Sequence, residues 1–180
     1  MNNAHGLRKL SRTMQHAIVF CAVASSIMVF WSSSHLLTDP SCFAHFAKRY
    51  TASFPFSDSL STRAILGALD AVEQGILLVA FYCAWRMFGA FAAAEPLSAE
   101  PPRWMYRGAI ALGALFVSSI AGQTITHWAL TMWNPPGQVI FALCLGINDI
   151  LIFVIAGILL MTSRVLSVAE GVRAEQRAFV

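Results

Sequence analysis

Charge is what this sequence has least of. Only 12% of its 180 residues are Asp, Glu, Lys or Arg, about half the roughly 25% usual for soluble domains. A free cytoplasmic enzyme, a disordered regulator and a nucleic-acid-binding domain all need charged surface that is missing here. Cysteine is sparse too. The four residues Cys21, Cys42, Cys83 and Cys144 are isolated and form no C-x-x-C, which argues against a thiol-disulfide oxidoreductase. No HExxH occurs, and no heptad seam, internal repeat or low-complexity tract is present. Histidine is placed wrongly for haem, since His16 and His127 fall at opposite ends of their helices and the other three lie outside or at boundaries. Bilayer-type alternating strands are absent as well.

What the chain has is apolar length. Hydrophobic residues make up 57% and the mean hydropathy is +0.64. Four stretches reach the ~20 apolar residues that cross a hydrocarbon core. They run from about Gln15 to Leu37, Arg63 to Ala92, Tyr106 to Trp133, and Val139 to Met161. A later start for the last is also open, with Asn148 or Asp149 as N-cap of a helix from Ile150 to about Leu166. In lipid every backbone polar group must be satisfied within the segment, so these runs are expected as helices. The expected fold is an all-α, four-transmembrane-helix bundle forming one domain over residues 1–180. Its largest loop spans Thr38 to Thr62, with Asp39-Pro40 read as a turn signal, and a helical tail follows from Arg164. The first span is expected to stay uncleaved, because its apolar run continues past the small residues to Trp31.

Charge placement orients the four spans. An even number puts both termini and the middle loop on one side. That side holds Arg8, Lys9, Arg12, Arg86, Arg103, Arg107, Arg164, Arg173 and Arg177, against Lys48, Arg49 and Arg63 on the other. By the positive-inside rule both termini are cytoplasmic. Trp85 and Trp104 then fall at the inner interface, and Trp31, Trp128 and Trp133 at the outer one. The stripes Gly67-xxx-Ala71-xxx-Gly75 and Ala114-xxx-Ser118-xxx-Gly122 have the spacing of close helix packing, within one chain or across a homo-oligomer.

Ionisable groups inside a span cost ~2.5–3.5 kcal/mol each at its centre, and so mark candidate sites. Asp70 and Glu73 are three apart on one helix face, with Gln74 adjacent. Helical rise puts the two acids roughly 10 and 15 Å below the outer boundary, and His127 and Gln123 at roughly 9 and 15 Å on the next helix. With Asp149 they form a candidate outer polar cluster: Asp70, Glu73, Gln74, Gln123, His127 and Asp149. Such a set suits a ligand, a proton or a divalent metal. The competing reading gives the acids an aqueous mouth or hydrogen bonds to neighbouring helices. No catalytic residue, metal site or cofactor is assigned. At the other end Arg173 and Arg177 are candidate docking residues on the tail.

The second half, about Leu77 to Val180, resembles the bacterial Domain of Unknown Function 2975 family. The resemblance rests on FYCAWRMFGAF, the linker AAEPLSAEPPRW, the R-x-x-x-R-G of Arg103 to Gly108, WNPPG at Trp133 to Gly137, the N-D-I-L of Asn148 to Leu151, and the tail AEGVRAEQRAFV. It implies a four-span inner-membrane protein with no established catalytic residues. It also implies a partnership with a small cytoplasmic helix-turn-helix regulator. The expected function is a non-enzymatic sensor or membrane partner of such a regulator, without direct nucleic-acid binding. The alternative is a small transporter or ion-coupled carrier using the intramembrane acids.

Overall fold

The computed structural model describes residues 2–51, 55–56, 58–93, 100–135, 138–139 and 141–178, and the side chains of 2–5, 7 and 173–178 lie outside that description. Five helices make up the fold: α1 (Asn2–Thr38), α2 (Pro40–Thr51), α3 (Leu60–Ala92), α4 (Glu100–Thr131) and α5 (Ile147–Ala178). No strand occurs among the described residues. Four of the helices are long and apolar enough to cross a membrane, namely α1, α3, α4 and α5.

The helix α2 was not expected. The stretch from Thr38 to Thr62, read as a loop, carries it because Asp39-Pro40 is a helix start and not a turn. The Asp39 carboxylate accepts from the Ser41 amide at 2.9 Å and the Ser41 hydroxyl at 2.8 Å, while its carbonyl accepts from the Phe43 amide. Those bonds hold the Asp39 carboxyl below its ordinary range. Proline at the first helical position loses no bond, since that N–H would be unpaired anyway. Phe43, Ala47 and Thr51 then follow at intervals of four and are all buried. Phe43 and Ala47 meet Leu36 of α1, Leu66 of α3 and Leu130 of α4 in the hydrophobic cluster that forms the core at this end.

The last helix also starts elsewhere than expected. It begins at Ile147, between the two starting points Val139 and Ile150, and residues 138–139 and 141–146 run outside any helix. Gly146 is the cap: its carbonyl accepts from the amides of Asp149 and Ile150. Asp149 sits in the first turn and its carboxylate reaches back to the Gly146 amide at 2.8 Å. It thus supplies the second half of a capping box.

The long helices are arranged as a row. Each packs antiparallel against its neighbour in the order α1, α3, α4, α5, and the backbones of α1 and α5 do not come within 8 Å of each other. The expected bundle is therefore open, and the row curves around a groove that all four helices line. Small residues make the seams: Ala80, Cys83 and Ala90 of α3, Ala109 and Ala111 of α4, and Ala156 of α5 are buried. A Cβ at Gly108 would rest in ordinary contact with Cys83. Of the two expected small-residue stripes, Gly67-Ala71-Gly75 packs against nothing at its glycines, whereas Gly122 is buried. Large apolar side chains point away from the row instead. Phe20, Met28, Phe30 and Trp31 of α1 are 67–77% exposed, and Phe153, Ile158, Met161 and Val165 of α5 are 60–70% exposed.

One side chain ties the ends of α1, α2 and α3 together. Arg63 is buried, pairs with Asp58 through Nε at 2.8 Å and Nη2 at 3.0 Å, and lies over the Phe43 ring with 4.7 Å to its centroid. Its Nη1 donates to the carbonyls of Leu37 at 3.0 Å and Leu36 at 3.5 Å. Carbonyls in the last turn of a helix have no intrahelical partner, so this guanidinium closes α1. Arg63→Ala should destabilise the fold by ~1.5–3 kcal/mol, the range for hydrogen bonds to a charged group. Asp58→Ala should cost less, because Arg63 keeps its bonds to the Leu36 and Leu37 carbonyls and its place over Phe43. Thermal unfolding of both variants in detergent checks this, and equal losses would show that the α1 carbonyls contribute nothing.

Candidate functional site

Two cavities meet at the α2 end. One, about 240 Å³, lies beneath α2 and is walled by Phe46 and Tyr50 of α2, Asp70 and Glu73 of α3, and Ser119, Gly122, Gln123 and Thr126 of α4. The other is the groove of about 360 Å³, walled by Val29 and Ser32, by Asp70, Glu73, Gln74 and Leu77, by Leu115 and Ser119, and by Ile152. Asp70, Glu73 and Ser119 line both cavities. The two carboxylates, one turn apart on α3, therefore stand where the hollows adjoin.

Their partners are few. Asp70 Oδ2 accepts from the Ser33 hydroxyl of α1 at 3.2 Å. Glu73 Oε1 lies close against Gly122, where an added Cβ would come to 2.5 Å and push the carboxylate aside. No basic side chain comes within 4.0 Å of either carboxylate among the described residues; the ion pair found there is Arg63–Asp58. Above them Tyr50 is half-buried, and burial pushes its phenol above the ordinary range, with Arg49 opposing and the Asp70 and Glu73 charges adding. The phenol is thus a neutral wall of the cavity at physiological pH.

The remaining members of the expected cluster are held by neighbouring side chains, Gln74 and Gln123 while also bordering a cavity. Gln74 turns to α1, its Nε2 donating to Ser25 at 3.2 Å and Ser26 at 3.1 Å. Asp149 is buried in the α4–α5 seam, where Ser119 donates to Oδ1 at 2.7 Å and Gln123 to Oδ2 at 3.2 Å. His127 is buried behind Tyr50, its ring edge-on at 5.4 Å, with Nε2 3.6 Å from Cys144 Sγ. Its Nδ1 has no partner among the described residues. The six residues therefore divide into a carboxylate pair in the cavities, two interhelical ties and one histidine packed apart. No three His, Cys, Asp or Glu side chains converge in a metal-binding arrangement among the described residues. Arg173 and Arg177 lie on the final turns of α5, and their side chains fall outside the described residues.

Tyr50, Phe46 and Ser119 escaped the sequence reading, in which Gly122 figured only as a helix-packing residue. The first two belong to a helix hidden behind an apparent turn, though Phe43, Ala47 and Thr51 at intervals of four could have revealed it. Nothing in a single sequence says that Gly122 makes room for a side chain on another helix.

No family model, curated protein or solved structure matches this chain.

The α4–α5 tie has a measurable consequence. Asp149→Ala removes one acceptor shared by Ser119, Gln123 and the Gly146 amide, and should cost about 3 kcal/mol. Asn148→Ala, at an exposed neighbour, should be within about 0.5 kcal/mol of the parent. If unfolding in detergent shows equal losses for both, the carboxylate does not hold the seam.

Proposed function

We propose that this chain is a multi-pass protein of a bacterial inner membrane, with both termini cytoplasmic and α2 on the outer side. Support comes from the large apolar side chains that all four long helices leave exposed. It comes also from the excess of Lys and Arg at the end away from α2. The ordered motifs between Leu77 and Val180 support membership of the Domain of Unknown Function 2975 family. Cys42 is exposed on α2 while Cys83 is buried. A membrane-impermeant maleimide applied to intact spheroplasts should label Cys42. Labelling only after lysis would invert the topology.

The function that the geometry supports best is non-enzymatic reception of a cation or proton from the outer side. The observation that carries it is the Asp70–Glu73 pair, which borders two cavities with no basic partner among the described residues. Two carboxylates held this way within a span are costly unless a cation or protons neutralise them. On this reading the chain is a sensor. The α5 helix continues to Ala178, well past the apolar run that ends near Met161, which favours a docking role for the tail with Arg173 and Arg177. The partner is a cytoplasmic regulator of the helix-turn-helix kind that the resemblance implies. A second reading, an ion-coupled carrier, is favoured by one feature: the same two acids line both cavities, as successive sites for a moving ion would.

Titration of the purified protein with monovalent and divalent cations, together with proton and cation flux into proteoliposomes, separates these readings. Asp70→Asn with Glu73→Gln should weaken binding about 10- to 100-fold, at ~1.5–3 kcal/mol for a charged contact. Gly122→Ala, which displaces Glu73, should weaken it with little change in thermal stability. Binding without flux supports the sensor and flux supports the carrier. Binding and flux unchanged in the double variant would overturn both.

A further inference from the structure

At the end of the row away from α2, a second polar cavity of about 360 Å³ opens between α4 and α5. Three guanidinium groups surround it, Arg103 and Arg107 one turn apart on α4 and Arg164 on α5. Ser163 and Ser167 add hydroxyls, and Glu170 faces the same space. None of the three arginines makes an ion pair or a side-chain hydrogen bond with another described residue. Arg107 lies on the Trp104 ring at 4.8 Å and Arg164 on the Tyr106 ring at 5.5 Å. Stacking of this kind fixes a guanidinium plane without occupying its N–H donors. Like charges brought together from two helices repel unless an anion lies between them, and the arginine fork matches phosphate oxygens.

The surface below the cavity is apolar. Arg103, Arg107, Ile110, Ala114 and Val117 follow at steps of four, three, four and three along α4, which is one helical face. All five are exposed. Basic groups thus sit at the head of an uncovered apolar stripe, the amphipathic pattern of a phospholipid. The cavity also far exceeds the ~30 Å³ share of one water in the liquid, so it has room for more than a bare ion. The contrast with α1 is instructive. Arg8, Lys9 and Arg12 are equally basic but come from a single helix, with no second element to build a site.

The geometry points to a binding site for an anionic phospholipid, its phosphodiester held by Arg103, Arg107 and Arg164 and its acyl chains lying along the α4 stripe. Glu170 disfavours a dianionic headgroup and suits a monoanionic phosphodiester bearing a hydroxyl group, such as phosphoglycerol. The site requires contact with a bilayer but no role for Asp70 or Glu73, so the cation and flux assays can fail without touching it.

Native mass spectrometry of the full chain, released from nonionic-detergent micelles containing phosphatidylglycerol or phosphatidylcholine, tests the assignment. Phosphatidylglycerol should be retained in preference to phosphatidylcholine. Retention should fall about fivefold for each arginine removed in Arg103→Gln and Arg107→Gln, following ~1 kcal/mol per basic residue. The charge-matched pair Arg8→Gln and Arg12→Gln should keep the lipid, and Glu170→Gln should hold it more tightly. The site is overturned if the α1 pair loses as much lipid as the α4 pair, if Glu170→Gln has no effect, or if phosphatidylcholine is retained equally. Displacement of the lipid by an equal concentration of inorganic phosphate would mean a free-anion site and would overturn the lipid assignment.

Discussion

The Arg63 guanidinium is the point on which the α2 end depends. A helix that stops beside other helices leaves its last carbonyls without partners, and α1 stops beside α2 and α3. Arg63 answers that need from α3, and its charge is balanced by Asp58 five residues earlier. Because the same group covers the Phe43 ring, it also fixes α2 over the core cluster. The helix that roofs the small cavity is thereby held in place by one side chain. Without that roof Asp70 and Glu73 would face an open groove only.

Polar groups in the rest of the row have a divided role. Gln74 with Ser25 and Ser26 joins α1 to α3, and Asp149 with Ser119 and Gln123 joins α4 to α5. Each is satisfied by a neighbouring helix, as a polar group surrounded by apolar side chains must be. Asp70 and Glu73 differ: a single hydroxyl, Ser33, reaches Asp70 from another helix, and no basic side chain pairs with either acid among the described residues. Seams of alanine and glycine bring backbones close without large side chains, which leaves the bulky residues to face outward.

Much of the fold could be read from the sequence because apolar length and the scarcity of charge leave few alternatives. The expected spans Gln15–Leu37 and Arg63–Ala92 lie within α1 and α3, Tyr106–Trp133 runs two residues past the end of α4, and of the two readings of the last span only Ile150–Leu166 lies within α5. Other features depended on tertiary context. Asp39-Pro40 is as good a turn as it is a helix start, and only burial of Phe43, Ala47 and Thr51 decides between them. Asp149 was weighed as an N-cap and instead serves the cap from inside the first turn, a difference of three residues that hydropathy does not register. Among the candidate site residues, depth along a helix was a fair guide but azimuth was not. His127 lies at the α2 end, yet its ring turns to Tyr50 and Cys144 and away from the carboxylates. Spacing placed Gly67, Ala71 and Gly75 on a packing face, whereas the helices meet along other residues.

A row in which α1 meets α3, α3 meets α4 and α4 meets α5 has a bearing on how the chain is built. Every long helix finds its packing partner in the long helix synthesised just before it. No surface has to be held open for a segment that has not yet been made, as it would be if the last helix closed against the first. Polar residues on a nascent helix are satisfied as soon as its successor arrives: Ser25 and Ser26 by Gln74, then Ser119 by Asp149. Assembly can follow the order of translation, one antiparallel hairpin at a time.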